Sequence, residues 1–311
     1  MKYSESTHTA SDGKSIFVRT WLPSGAPKAV LLIAHGMAEH GARYERFASV
    51  MAEAGWAIVA PDHRGHGKTA ASGELGWFAD RYGFFRIRDD LHEIALGLRE
   101  TYMSAPLFLY GHSMGSVLAE TYIAAYGQDL SACALSGVVE PMAPLLLAVG
   151  KLIAVMGCLF KGQRKPAKML DTMGFSAYNK DFEPARTKVD WLSRDPAEVD
   201  KYVSDPLCGF ICSFGFYRDF FAGIASLYNK RGAFDSVPKS LPLYIFAGAE
   251  DPAGGAKGWV SRLAEKLKEA GVQSVETRLY PGARHEVLNE TNRDEVMKDL
   301  RDWLDCRVAR A

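Results

Sequence analysis

The chain has 311 residues, 48% apolar and 24% charged, with 37 basic side chains balanced by 37 acidic ones. A zero net charge excludes the basic excess expected of a nucleic-acid-binding protein, and the apolar share is enough to bury a large core. The length suits one α/β domain carrying an insertion.

At the N-terminus, "MKYSESTHTASDGKSIF" has no apolar segment after its lysine, so no signal peptide is expected and the cytoplasm is the expected compartment. Asp12-Gly13, between two stretches of polar–apolar alternation, predicts a hairpin. Apolar strand-like runs then alternate with helical ones. The predicted strands are "SIFVRTWL", "AVLLIAHG", "WAIVAPD", "PLFLYGH", "CALSGVV", "PLYIFAG" and "VETRLYP". The predicted helices are "RYERFASVMAEAG", "RDDLHEIALGLRETYM", "SVLAETYIAAYG", "KGWVSRLAEKLKEAG" and a last one over Asn292 to Arg307. Strands apolar throughout and separated by helices predict a mostly parallel sheet covered on both faces, with the first hairpin adding antiparallel edge strands. From Glu140 to Val237 no core strand is predicted. This divides the chain into a first core part (1–139), an insertion (140–237) and a second core part (238–311).

Five cysteines, an odd number, predict free, buried thiols. Cys208 and Cys212 are four apart but have no histidine nearby in sequence, so no metal site is expected.

The segment "LFLYGHSMGSVLAE" places Ser113 between Gly111 and Gly115, where a strand gives way to a helix. A turn that sharp crowds its neighbours, which explains the glycines, and it exposes the serine hydroxyl at a helix N-terminus. G-x-S-x-G alone is a weak signal; its strand-to-helix setting gives it weight. A serine needs a base to take its proton, and this architecture orders the partners serine, acid, histidine along the chain. Only His285, in "LYPGARHEVLNE", follows Ser113. Asp251, at the end of "LPLYIFAGAED", is the favoured acid; Glu140 and Glu250 are the alternatives. The Met114 N–H, just after the serine, and the Met37 N–H, in the loop after "AVLLIAHG", are candidate oxyanion donors. His35 is read as a loop-organising residue. "GHGKT" mimics part of a phosphate-binding loop, but the position needing the first glycine is Asp62, so a nucleotide site is rejected.

Five pieces together, "HGMAEHGARY" (35–44), "DHRGHGKT" (62–69), "GHSMG" (111–115), "AGAEDPAG" (247–254) and "RHEVLNE" (284–290), resemble α/β-hydrolases, within them the monoacylglycerol lipase and lysophospholipase group. The resemblance implies an eight-stranded α/β-hydrolase fold with a helical cap inserted after the sixth strand. It implies a Ser113–His285–Asp251 triad with oxyanion donors at Met37 and Met114, and no cofactor. The expected reaction is ester hydrolysis of a monoacylglycerol or lysophospholipid. A short-chain esterase, a peptidase using the same triad and a non-catalytic binding protein are the other readings.

In the insertion, "PLLLAVGKLIAVMGCLF" is short for a membrane span. It is read either as a lid helix touching lipid, with "KGQRKPAK" near head groups, or as a helix packed on the cap's own core. "CGFICSFGFYRDFFAGIASLY" supplies aromatics for an acyl pocket or for cap packing. Gly36, His112, Leu145, Leu146, Phe214 and Phe216 are the expected substrate contacts. The expected partners are a small lipid or ester and, transiently, a membrane surface.

Overall fold

The computed structural model describes residues 1–175, 177–228 and 232–308. In chain order the elements are β1 (Lys2–Thr9), β2 (Ser15–Leu22), β3 (Ala29–Ala34), α1 (Glu45–Glu53), β4 (Trp56–Pro61), α2 (Gly83–Thr101), β5 (Leu107–His112), α3 (Met114–Tyr126) and β6 (Ala132–Ser136). Four helices follow without an intervening strand: α4 (Pro144–Phe160), α5 (Lys168–Phe175), α6 (Pro196–Ser204) and α7 (Phe214–Tyr228). The chain then returns through β7 (Leu243–Gly248), α8 (Trp259–Glu269), β8 (Val275–Tyr280) and α9 (Arg293–Val308).

The strands form one eight-stranded sheet in the order β1-β2-β4-β3-β5-β6-β7-β8. β1 and β2 pair antiparallel, as do β2 and β4; all other pairs are parallel. Every residue of β3, β4, β5, β6 and β7 is buried. Alternate side chains feed two cores. Val30 and Leu32 join the face covered by α2, α3, α7 and α8, whereas Leu31 and Ile33 join the face covered by α1 and α9. Burying each such side chain contributes about 1.5–3 kcal/mol, so runs of this kind commit the chain to a central parallel sheet.

After β3 the chain moves one way to β4, then crosses back to place β5 on the other side of β3. This reversal opens a crevice beyond the carboxyl ends of β3 and β5, where open α/β sheets bind ligands. Both "HGMAEHGARY" and Ser113 follow those two ends.

The predicted helix "RDDLHEIALGLRETYM" begins earlier than its sequence pattern shows, at Gly83. Its first backbone N–H donates to the Asp219 carboxylate of α7, 2.9 Å away. That cap comes from 136 residues along the chain and has no local sequence signature. Helices α4 to α7 lie between β6 and β7, as the predicted insertion does. α7 packs on α2 and α3, and Phe216 is fully buried beside Phe78, with ring centroids 4.4 Å apart. Among the described residues no helix is long and apolar enough to cross a membrane.

Candidate active site

Ser113 has φ +55 and ψ −119, a conformation L-residues avoid, costing about 1–3 kcal/mol. Its neighbours explain how this is held. A Cβ on Gly115 would run into the carbonyl oxygens of Ala34 and His35, and one on Gly111 into the backbone of Gly115. Gly115 lets α3 approach the end of β3 this closely, and Gly111 lets it approach β5. The Ser113 N–H donates to the Ser136 carbonyl at 3.0 Å, anchoring the turn to the end of β6.

Asp251 follows β7 and is fully buried; its Oδ1 accepts the Nδ1–H of His285 at 3.0 Å and the Ala253 N–H at 2.9 Å. With Nδ1 donating to the carboxylate, the Nε2 lone pair of His285 is left free. The His285 ring lies 4.8 Å from the ring of His112, the residue before Ser113. Gly137 (φ +54) makes room: a Cβ there would sit 2.8 Å from His112 Cε1 and 3.1 Å from His285 Cε1. Burial alone would lower the His285 pKa, but the Asp251 carboxylate outweighs it, with Glu286 and Glu39 adding to the effect, and the imidazole rises above its ordinary value. Burial and the adjacent His285 push His112 down to about 4, so it stands neutral.

Neither alternative acid reaches His285 in this way. Glu140 pairs with Arg262 and Lys257, and Glu250 is exposed to solvent.

Gly36 sits against the serine: an added Cβ would lie 3.3 Å from Ser113 Cβ. Met37 follows it, and Met114 is the first residue of α3. His35 is buried; its Nδ1–H donates to the Gly36 carbonyl at 2.8 Å and its Nε2 accepts the His63 N–H at 2.9 Å. Both nitrogens are occupied and burial lowers its pKa, as a loop-organising role requires. Asp62, the residue that rejects a phosphate loop, accepts the N–H groups of Gly41 (2.8 Å) and Lys68 (2.7 Å) and pairs with Arg19.

A charge network, which the motifs contain but their spacing does not disclose, joins the two loops. Glu39 accepts the Gly36 N–H at 2.5 Å, the Tyr44 hydroxyl at 2.9 Å and Arg43 at 2.8 Å. The same guanidinium grips Glu286, next to His285, through two bonds of 2.5 and 2.7 Å. Burial would raise the Glu39 carboxyl, yet Arg43, with His112 and His35, brings it down to about 2. The loop after β3 and the histidine loop are thus tied through one arginine.

Of the expected substrate contacts, Gly36 and His112 adjoin Ser113 and His285. Leu145 and Leu146 stand exposed on α4, while Phe214 and Phe216 are buried in packing. All five cysteines are free, but Cys306 is exposed and Cys158 only partly covered, so the buried-thiol expectation fits Cys133, Cys208 and Cys212. Folding also brings His40, distant in sequence, to Asp205 and Cys208, all within 4.8 Å. The His40 Nε2–Asp205 Oδ2 bond of 2.9 Å accounts for two of the three, and Arg43 beside Cys208 opposes a cation there.

Residues 25–292 match the family described as "Serine aminopeptidase, S33". The chain belongs to this α/β-hydrolase family. It is 30% identical to a monoacylglycerol lipase of Mycolicibacterium smegmatis, covering 97% of this chain and 96% of that protein. It is also 30% identical to a human monoglyceride lipase, covering 97% and 90%. A solved carboxyl esterase of Bacillus coagulans, in complex with glycerol, is 30% identical, with a TM-score of 0.89 over 99% of both chains. The chain is therefore a hydrolase of the lipase and esterase kind, and the hydrolase-fold expectation stands. The family description names a peptidase whereas the relatives above carry lipase and esterase names, so membership alone does not select the substrate.

Proposed function

We propose that this hydrolase cleaves carboxylic esters, monoacylglycerols or lysophospholipids foremost, through an acyl-enzyme on Ser113. The observation that carries the reading is the strained Ser113 turn, whose preceding residue His112 lies 4.8 Å ring to ring from a buried histidine that is hydrogen-bonded to a buried aspartate. His285 Nε2 takes the Ser113 proton as Oγ bonds to the ester carbonyl carbon. The N–H groups of Met37 and Met114 hold the oxyanion, and Asp251 stabilises the imidazolium. His285 then hands its proton to the leaving alcohol as the C–O bond breaks. Water, deprotonated by His285, attacks the acyl-enzyme and frees the acid.

The relatives' names support a glyceride substrate, and the lipase-named ones match along nearly the whole chain. A peptidase reading follows from the family description, but the carboxylates beside the site, Glu39 and Glu286, are both held by Arg43. They are poorly placed to bind the free amine an aminopeptidase needs.

Helices α4 to α7 act in this reading as a cap over the crevice, with α4 as its contact with lipid. Leu145, Leu152 and Leu159 recur every seven residues and are 78%, 61% and 72% exposed, beside Phe160 at 78%. The basic run through Lys161, Arg164 and Lys165 follows directly. Such a stripe fits transient attachment to an anionic membrane or a lipid aggregate by a cytoplasmic protein.

The test is a panel of monooleoylglycerol, a lysophosphatidylcholine, p-nitrophenyl butyrate and leucine p-nitroanilide. Esters should turn over and the anilide should not; preferential cleavage of the anilide would contradict the reading. Ser113→Ala and His285→Ala should each lose on the order of 10⁴–10⁶ in kcat.

A further inference from the structure

The insertion reaches the oxyanion loop at Ala38, one of three described non-glycine residues with positive φ (+53). Left-handed backbone is disfavoured for alanine, so something must hold it. The Ala38 carbonyl accepts two donors, the Tyr202 hydroxyl at 3.1 Å and the Gly209 N–H at 2.9 Å. Both belong to the insertion, 164 residues or more along the chain. The donors also brace each other. Gly209 has φ +65, and a Cβ there would lie 3.3 Å from Tyr202 Cε1. Arg43 stacks on the Tyr202 ring at 4.9 Å, and Asp205, between the two donors, holds His40 at 2.9 Å. On either side of Met37 and Ala38, Gly36 and Gly41 are fastened to carboxylates, Glu39 and Asp62. Between those two anchors the Ala38 carbonyl is held from the insertion, as is the His40 ring.

We propose that Tyr202 and Gly209 are positioning residues for the oxyanion hole: they hold Ala38 left-handed and so set the direction of the Met37 N–H. The insertion is then part of the catalytic apparatus as well as a substrate reader, and a displacement of segment 202–209 switches the donor off. This inference rests on the esterase reading above.

The test uses p-nitrophenyl acetate, whose acyl group is too short to need an acyl pocket. Tyr202→Phe removes one oxygen and leaves the ring on Arg43. It should lower kcat about tenfold with KM changed less than about twofold, a milder loss than deletion of an oxyanion donor. Adding Ala38→Gly, which makes positive φ inexpensive, should restore at least half of the lost kcat on a logarithmic scale. Hydrogen exchange across residues 37–40 should quicken in Tyr202→Phe. An unchanged kcat, a rise in KM alone, or a loss that Ala38→Gly does not recover would overturn the proposal. Should the wild type not hydrolyse the ester, or Ser113→Ala remain active, the esterase reading fails instead; unchanged exchange at 37–40 would still refute the clamp.

Discussion

At Ser113 the backbone is strained, and at His285 a proton is held more tightly than in free imidazole. Catalysis as proposed needs the neutral ring, so activity must rise with pH as His285 loses its proton. The direction of its shift puts the acid limb of kcat/KM above pH ~6.5, the unperturbed histidine value. Asp251→Asn should move that midpoint downward and reduce kcat by about 10⁴, while Glu140→Gln stays near wild type; the reverse pattern would transfer the acid's role to Glu140. The same shift has a stability counterpart. A raised histidine pKa contributes stability fully present below its unfolded value and lost as pH rises through the folded one. Measuring kcat/KM from pH 5 to 9 for both variants separates the two assignments.

Two helices show how elements carry effects the single residues do not. Glu120 on α3 is fully buried, hydrogen-bonded to the Tyr228 hydroxyl of α7, and burial raises its pKa to about 8. A carboxyl raised in the folded state stabilises below its unfolded pKa of about 4.5 and loses that contribution as pH climbs toward 8. Glu120→Gln, neutral and of like shape, should therefore raise the melting temperature at pH 8 more than at pH 5. An equal change at both would show that the pair stays ionised. On α4, the buried face is small: Leu147, Gly150, Ala154 and Gly157 are covered, with Phe221 and Phe214 of α7 packed at the two glycines. Most of the large side chains, Leu145, Leu152, Leu159 and Phe160 among them, point outward instead. Leu152→Glu with Leu159→Glu should weaken binding to anionic phosphatidylglycerol vesicles at least about tenfold and leave p-nitrophenyl acetate turnover unchanged. Equal vesicle binding by both proteins would remove α4 from the membrane-contact role.

Over the whole molecule, the legible features were those written in local chemistry. β2 and β8 were read to within a residue, and β3 to β7 to within about three residues because fully buried apolar runs leave little choice. The elbow was legible because glycine is forced on both sides of Ser113, and His285 because no other histidine follows it. Asp251 was favoured by sequence, but Glu140 stayed open because both end strands; only the fold turns one toward His285. The Arg43 bridge, the Asp219 cap on α2 and the Ala38 clamp each join residues more than 130 apart and left no local pattern. The outward stripe of α4 was ambiguous for a related reason. An apolar helix reads alike whether its large or its small side chains face the core, and that depends on the partner, α7.

The central claim is that Ser113 is a nucleophile activated by His285, and covalent capture tests it most directly. The protein is treated with a fluorophosphonate, digested, and the modified peptide located by mass spectrometry. The account predicts one adduct on Ser113, formed more slowly by orders of magnitude in His285→Ala and absent in Ser113→Ala. Labelling at another residue, or equal labelling of Ser113 without the histidine, would contradict it.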